Sequence, residues 1–90
     1  MPSYLVETYL ARGQTAKRAA GERRARSAAG KLTQNDTRVR FDHSIYVPED
    51  EICFFVFDAP SGREAALVAQ QAGLDPIRVV EAIPSREGKK

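Results

Sequence analysis

The sequence predicts an α+β fold in which one four-stranded antiparallel sheet carries two helices on one face. Over 90 residues, patterns typical of strands and helices follow in the order strand, helix, strand, strand, helix, strand. The first and third predicted strands are apolar on both sides, as expected for the central strands of a sheet. The two helices have apolar stripes that one sheet face can bury together.

The first strand covers residues 4–10 and is rich in tyrosine, valine and threonine, which favour strands. Its alternation places Tyr4, Val6, Thr8 and Leu10 on one face and Leu5, Glu7 and Tyr9 on the other. Glu7 is a carboxylate among apolar neighbours, so we expect it to reach the sheet rim or to pair with an arginine. A functional carboxylate is the alternative interpretation.

The first helix is predicted to begin at the cap residue Thr15 and to end at about Gly30. One side of this helix is made of small residues and one leucine, namely Gly21, Ala25, Ala28, Ala29 and Leu32. The opposite side is basic, with Lys17, Arg23, Arg24, Arg26 and Lys31. Small residues allow close approach to a sheet but bury little apolar area, so this helix is expected to be the less firmly held of the two.

The next two strands form a hairpin at residues 39–47 and 51–58, with Pro48, Glu49 and Asp50 in the loop. If the register is symmetric about the loop, the face under the helices receives Val39, Phe41, His43, Ile45, Cys53, Phe55 and Phe57. The other face then receives Arg40, Asp42, Ser44, Tyr46, Ile52, Phe54, Val56 and Asp58. Four of these are large and apolar or aromatic, so we expect a homodimer that packs sheet against sheet through Tyr46, Ile52, Phe54 and Val56.

The second helix starts at a capping box formed by Ser61 and Glu64 and stops at Gly73. A last strand follows at residues 77–83. The element order is that of a ferredoxin-like βαββαβ domain with strand order 4-1-3-2. We assign residues 1–84 to this single domain and predict that 85–90 form a disordered charged tail.

Composition limits the classes of function. Cys53 is the only cysteine, so no disulfide can form within the chain, which favours a reducing compartment. The N-terminus lacks the pattern of a secretory signal, and no apolar run is long enough to span a bilayer, so we expect a cytoplasmic protein without a membrane partner. Glycine-rich phosphate loops and nucleophile-elbow motifs do not occur.

Several segments resemble a family of small, mostly bacterial ferredoxin-like proteins of unknown function. The similar segments are YLVETYL at residues 4–10, VPEDE at 47–51, Cys53-Phe54, DAPS at 58–61, AGL at 72–74 and RVVEA at 78–82. One branch of that family is described as nickel-binding and dimeric. The resemblance therefore implies a homodimer and a divalent metal such as nickel. Where many relatives have a second cysteine two residues after the first, this chain has Phe55, so a two-thiolate site is excluded.

The ligands that such a metal would favour are imidazole, thiolate and carboxylate groups, and the candidates here are His43, Cys53, Glu7 and Asp42. The competing interpretation is structural. His43 would then be hydrogen-bonded to a neighbour, and Cys53 would be a small buried apolar residue.

Two other functions stay open. A pocket between sheet and helices would suit a small-substrate enzyme in which His43 acts with Glu7 or Tyr46 as acid and base, although no motif decides whether the chain is an enzyme. Alternatively, the basic side of the first helix would bind nucleic acid or an acidic protein through Lys17, Arg23, Arg24, Arg26 and Lys31. A solvated basic face is the commoner meaning of such a helix.

Overall fold

The computed structural model describes residues 1–85 of the chain. Six elements follow in the predicted order: β1 (Ser3–Tyr9), α1 (Ala16–Gln34), β2 (Arg40–Val47), β3 (Ile52–Asp58), α2 (Gly62–Gln71) and β4 (Arg78–Ala82). From residue 86 onward, the predicted tail lies outside the described residues.

The four strands form one antiparallel sheet in the order β2-β3-β1-β4, which is the predicted order seen from the other edge. Both helices contact the sheet and each other. Alternate residues of β1 are buried, as the predicted alternation requires. We call the covered side the helix face and the other side the open face. The fold is therefore ferredoxin-like, with β1 and β3 in the centre as predicted.

The hydrophobic core lies between the helix face and the two helices. Its largest fully buried side chains are Phe57, Val6, Val68 and Cys53. The ring of Phe41 lies 6.2 Å from that of Phe55 and 5.3 Å from that of Phe57, centroid to centroid. These separations are within the range in which aromatic pairs stabilise a core beyond their buried area.

The buried stripe of α1 is the predicted one: Gly21, Ala25, Ala28, Ala29 and Leu32. Two details of the prediction were wrong. The helix runs to Gln34, past Gly30, because an isolated glycine lowers helix stability without ending a helix. Thr15 makes no side-chain capping bond, since its φ of −63° and ψ of −25° are already helical and a capping residue is normally extended.

The ends of α2 follow the predicted chemistry. Ser61 is extended and its Oγ accepts a hydrogen bond from the Arg63 amide at 3.2 Å. The Ser61 hydroxyl also donates to the Glu64 carboxylate. Gly73 follows the helix with a φ of 69°, the left-handed conformation in which glycine carries no Cβ penalty.

Strand β2 contains a β-bulge that the symmetric register did not include. Phe41 pairs with Phe57, but His43 pairs with Val56, so Asp42 is an extra residue. Beyond the bulge every side chain changes face relative to the prediction. Ser44 and Tyr46 lie on the helix face, opposite Phe55 and Cys53, whereas His43 and Ile45 lie on the open face, opposite Val56 and Phe54.

Candidate functional site

A partly enclosed cavity of about 150 Å³ lies between α1 and the helix face of the sheet. Its wall combines residues of β1, α1, β3 and the segment after α2. The lining residues are Thr8, Tyr9, Leu10, Lys17, Arg18, Gly21, Arg24, Cys53, Phe55 and Leu74.

The floor of the cavity is apolar. A Cβ on Gly21 would lie 2.9 Å from the Phe55 ring, so the glycine is what allows α1 to approach this ring so closely. Leu74 is also within van der Waals range of that position. Thr8 is polar, but its hydroxyl donates to the Cys53 carbonyl at 2.9 Å and is therefore already satisfied.

Three cationic side chains of α1 line the same cavity: Lys17, Arg18 and Arg24. The Nε of Arg24 donates to the Ala72 carbonyl at 2.7 Å, which fixes the guanidinium near the end of α2. Within residues 1–85, its terminal Nη groups have no recorded partner. Lys17 is exposed, and its side-chain ammonium makes no hydrogen bond or ion pair to a described residue.

A polar network around Ser44 borders this region. Arg18 donates to the Ser44 Oγ at 2.8 Å through Nε and to the Ser44 carbonyl at 3.1 Å through Nη2. The Ser44 hydroxyl in turn donates to the Glu22 carboxylate. The hydroxyl and the carbonyl of buried Ser44 thus both have hydrogen-bond partners. This explains why the bulge that turns Ser44 toward the helices is tolerated.

Cys53 faces this network but is not an activated thiol. It is completely buried, and burial raises the pKa of its thiol, although the Arg18 charge acts in the opposite direction. A raised pKa keeps the sulfur protonated near neutral pH, so it is a poor nucleophile and a poor metal ligand. The structure agrees with the prediction that Cys53 is a small buried residue of the core.

The five predicted polyanion-binding residues are all exposed on α1, but they make different contacts. Arg24 lies at the cavity, as does Lys17. The guanidinium of Arg26 lies 5.2 Å from the centroid of the Phe41 ring, a cation–π contact. Arg23 and Lys31 take part in neither the cavity lining nor the cation–π contact.

The predicted metal ligands do not meet within one chain. Cys53 lies on the helix face, whereas His43 and Asp42 lie toward the other side of β2, with the His43 Nδ1 at 3.2 Å from the Asp42 Oδ2. Glu7 pairs with Arg78, whose Nε lies 2.7 Å from its carboxylate, as one interpretation of Glu7 predicted. Among residues 1–85, no three histidine, cysteine or acidic side chains are grouped so that they could hold a metal ion. Within one chain, the four-ligand set therefore does not form a metal site.

The predicted acid and base residues do not converge either. The Tyr46 hydroxyl donates to the Leu10 carbonyl at 2.8 Å on the helix side. His43 and Glu7 are on the open face, but β3 separates their strands. Neither His43 nor Glu7 lines the cavity.

The open face has an apolar centre with an ion pair on each of two opposite sides. Val80, Leu5, Val56 and His43 form one cross-strand row, and Arg78, Glu7, Phe54 and Ile45 form the next. The prediction that Tyr46 lies on this face was wrong because of the bulge. Ile45 takes its place and is 45% exposed, whereas Val56 is already buried at 7%. Ile52 and Phe54 lie on this face as predicted and are half-buried.

Sequence reasoning missed four residues of the cavity wall with clear roles: Thr8, Arg18, Phe55 and Leu74. A signal was present, since a glycine within an alanine-rich stripe marks a place where the helix backbone lies close to another element. The sequence does not show which side chains surround that place.

The fold and cavity define the chain as a ferredoxin-like α+β protein with a small site under its first helix. No family model matches the chain, and no curated protein matches it. Among solved structures, the crystal structure of SCO4226 from Streptomyces coelicolor A3(2) is similar, with a TM-score of 0.68, 19% sequence identity, and coverage of 92% of this chain and 98% of that chain. At this identity the similarity shows the fold alone. In residues 1–85, no helix is both long and apolar enough to cross a membrane.

Proposed function

We propose that this chain is a homodimeric binding protein that takes a small molecule into the cavity between α1 and the sheet. The observation that carries the binding proposal is the cavity itself, which is concave, has an apolar floor and has a few polar groups at fixed positions. Binding sites for small molecules usually have these three properties.

The size of the cavity limits the ligand. A cavity of about 150 Å³ has room for a molecule of about the size of benzene. The residues that would supply acid and base chemistry lie outside it, so we propose binding and not catalysis.

Chemical-shift mapping tests the binding proposal. A panel of one-ring compounds that are neutral, cationic or anionic is titrated into the ¹⁵N-labelled protein. We expect at least one of them to shift the amides of Gly21, Phe55 and Leu74, while amides of β4 at the far edge stay in place. If no compound moves the cavity amides, or if shifts fall only outside the cavity, the proposal is wrong.

The proposed homodimer joins two open faces. Support comes from the half-exposed apolar centre of this face and from its charge. Arg40 pairs with Asp58 at 2.6 Å, and Arg78 pairs with Glu7 at 2.7 Å, so each ion pair is neutral. A nearly neutral surface can meet its own copy without repulsion, whereas the basic outer side of α1 cannot.

Nickel binding and a cytoplasmic location stay predictions. Only His43 and Asp42 are adjacent among the proposed ligands, so a metal site of this kind would need both copies of a dimer. Equilibrium dialysis with nickel, zinc and cobalt tests it. The metal hypothesis predicts measurable stoichiometry that His43→Ala abolishes, and a stoichiometry near zero, or one unchanged by the substitution, would rule it out.

A further inference from the structure

We infer that the ligand of the cavity is a small organic anion, in which a carboxylate or a similar group is attached to an apolar body of about one ring. This inference rests on the proposed function, because it concerns the same cavity. It adds the chemical class of the ligand, which the existence of a cavity alone does not define.

The cations of the cavity lie together because of the periodicity of α1. Lys17, Gly21 and Arg24 are spaced four and three residues apart, so they follow one another along a single face of α1. Gly21 has no side chain, and the Phe55 ring lies against its backbone between the two cations. Along the helix axis Lys17 and Arg24 are separated by about 10 Å, and both line the cavity. Arg18, on the adjacent position, adds a third cation to the lining.

The acidic side chains near the cavity already accept hydrogen bonds from other residues. None of the lining residues is an aspartate or a glutamate. Glu22, one turn from Arg18, accepts the Ser44 hydroxyl. Glu51, near Tyr9, accepts the Arg12 amide at 3.1 Å. Arg18 is bound to Ser44 beside Glu22. Lys17 and Arg24, in contrast, have no carboxylate partner among the described residues, and an anionic ligand would supply one.

Arg24 is the residue best prepared to hold a carboxylate. Its Nε bond to the Ala72 carbonyl holds the guanidinium near the end of α2. The terminal Nη groups are then free to donate to an anion, and charge-assisted bonds of this kind are stronger than neutral ones. Because the arginine is oriented before the ligand arrives, less conformational entropy is lost on binding.

The apolar floor distinguishes an organic anion from an inorganic one. Phe55 and Leu74 offer a ring face and a methyl group beside Gly21. Inorganic phosphate would use the cations but would leave this apolar surface unfilled. Benzoate would contact both the cations and the apolar floor. Its neutral isostere benzamide would bind through the apolar floor alone.

The experiment compares benzoate, benzamide and inorganic phosphate by NMR titration of the cavity amides. We expect benzoate to bind at least about fivefold more tightly than benzamide, the effect of one partly exposed charge contact. Lys17→Ala and Arg24→Ala should each weaken benzoate binding by a similar factor. Arg23→Ala and Lys31→Ala remove matched charges from α1 outside the cavity and should leave it unchanged. The side-chain ammonium of Lys17 has no hydrogen-bond or ion-pair partner among the described residues, so substituting Lys17 should not disturb folding.

Other results would overturn part or all of the inference. Equal affinity for benzoate and benzamide, or equal losses in Lys17→Ala and Arg23→Ala, would overturn the anion inference while leaving small-molecule binding intact. Phosphate binding as tight as benzoate binding would overturn the organic part of the inference. If neither these probes nor the wider panel moved the cavity amides, the proposed function would fail as well.

Discussion

Glu64 shows how a single hydrogen bond ties the stability of this protein to pH. The hydrogen bond from Ser61 is the main reason why the pKa of Glu64 lies below its usual value. A carboxyl group with a lowered folded-state pKa stabilises the fold when ionised, and this contribution is lost as the pH falls through the folded pKa.

We therefore expect Glu64→Gln to lower the melting temperature at neutral pH and to have little effect in strong acid, where the wild-type carboxyl is protonated. Thermal unfolding of both proteins across this pH range measures the difference. Glu49→Gln is the control, since Glu49 is an exposed turn residue. A difference that stays constant down to the lowest pH would contradict the role of the Ser61 bond.

At the scale of elements, replacing each of two glycines of α1 by alanine should change the free energy of unfolding in opposite directions. Gly21→Ala would place a Cβ 2.9 Å from the Phe55 ring, and overpacking of this kind costs about 1–3 kcal/mol. Gly30→Ala meets no atom within 4 Å, and alanine stabilises a helix by about 1 kcal/mol relative to glycine.

Chemical denaturation of the two variants measures both effects. We expect a lower unfolding free energy for Gly21→Ala, even though alanine is the better helix former, and a higher one for Gly30→Ala. If both variants were stabilised, α1 would not lie as close to the sheet as the structure places it.

How much could be predicted from sequence differs between elements for a physical reason. The buried stripe of α1 was predicted correctly because it contrasts sharply with a basic side, and the faces of β1 were predicted correctly because its register is unbroken. In β2, either register would place a large apolar or aromatic residue on each face of the sheet, since Ile45 and Tyr46 are adjacent. Hydrophobic pattern alone therefore could not locate the extra residue Asp42, and the faces of His43 and Ser44 were predicted wrongly.

The site was harder to predict than the fold. The basic residues of α1 were recognised, but their division between cavity, core contact and solvent depends on tertiary partners. Arg24 reaches a carbonyl 48 residues away, and Arg18 reaches Ser44 only because the bulge turns that serine inward. Contacts of this kind have no local signature in the sequence.

At the scale of the whole molecule, the sheet has two faces with separate roles. The helix face holds the core and the cavity. The open face carries Phe54 near its centre and the exposed Ile45 beside it. We propose that two copies of the chain meet at this open face.

Light scattering of the purified protein tests that claim most directly. The wild type should have twice the monomer mass of 10.0 kDa. Phe54→Glu and Ile45→Glu should each give a folded monomer, because a charge would be buried at the interface without a partner. Arg23→Glu, on the outer side of α1, should remain a dimer. A wild-type mass of one chain, or a dimer that persists in Ile45→Glu, would contradict the claim.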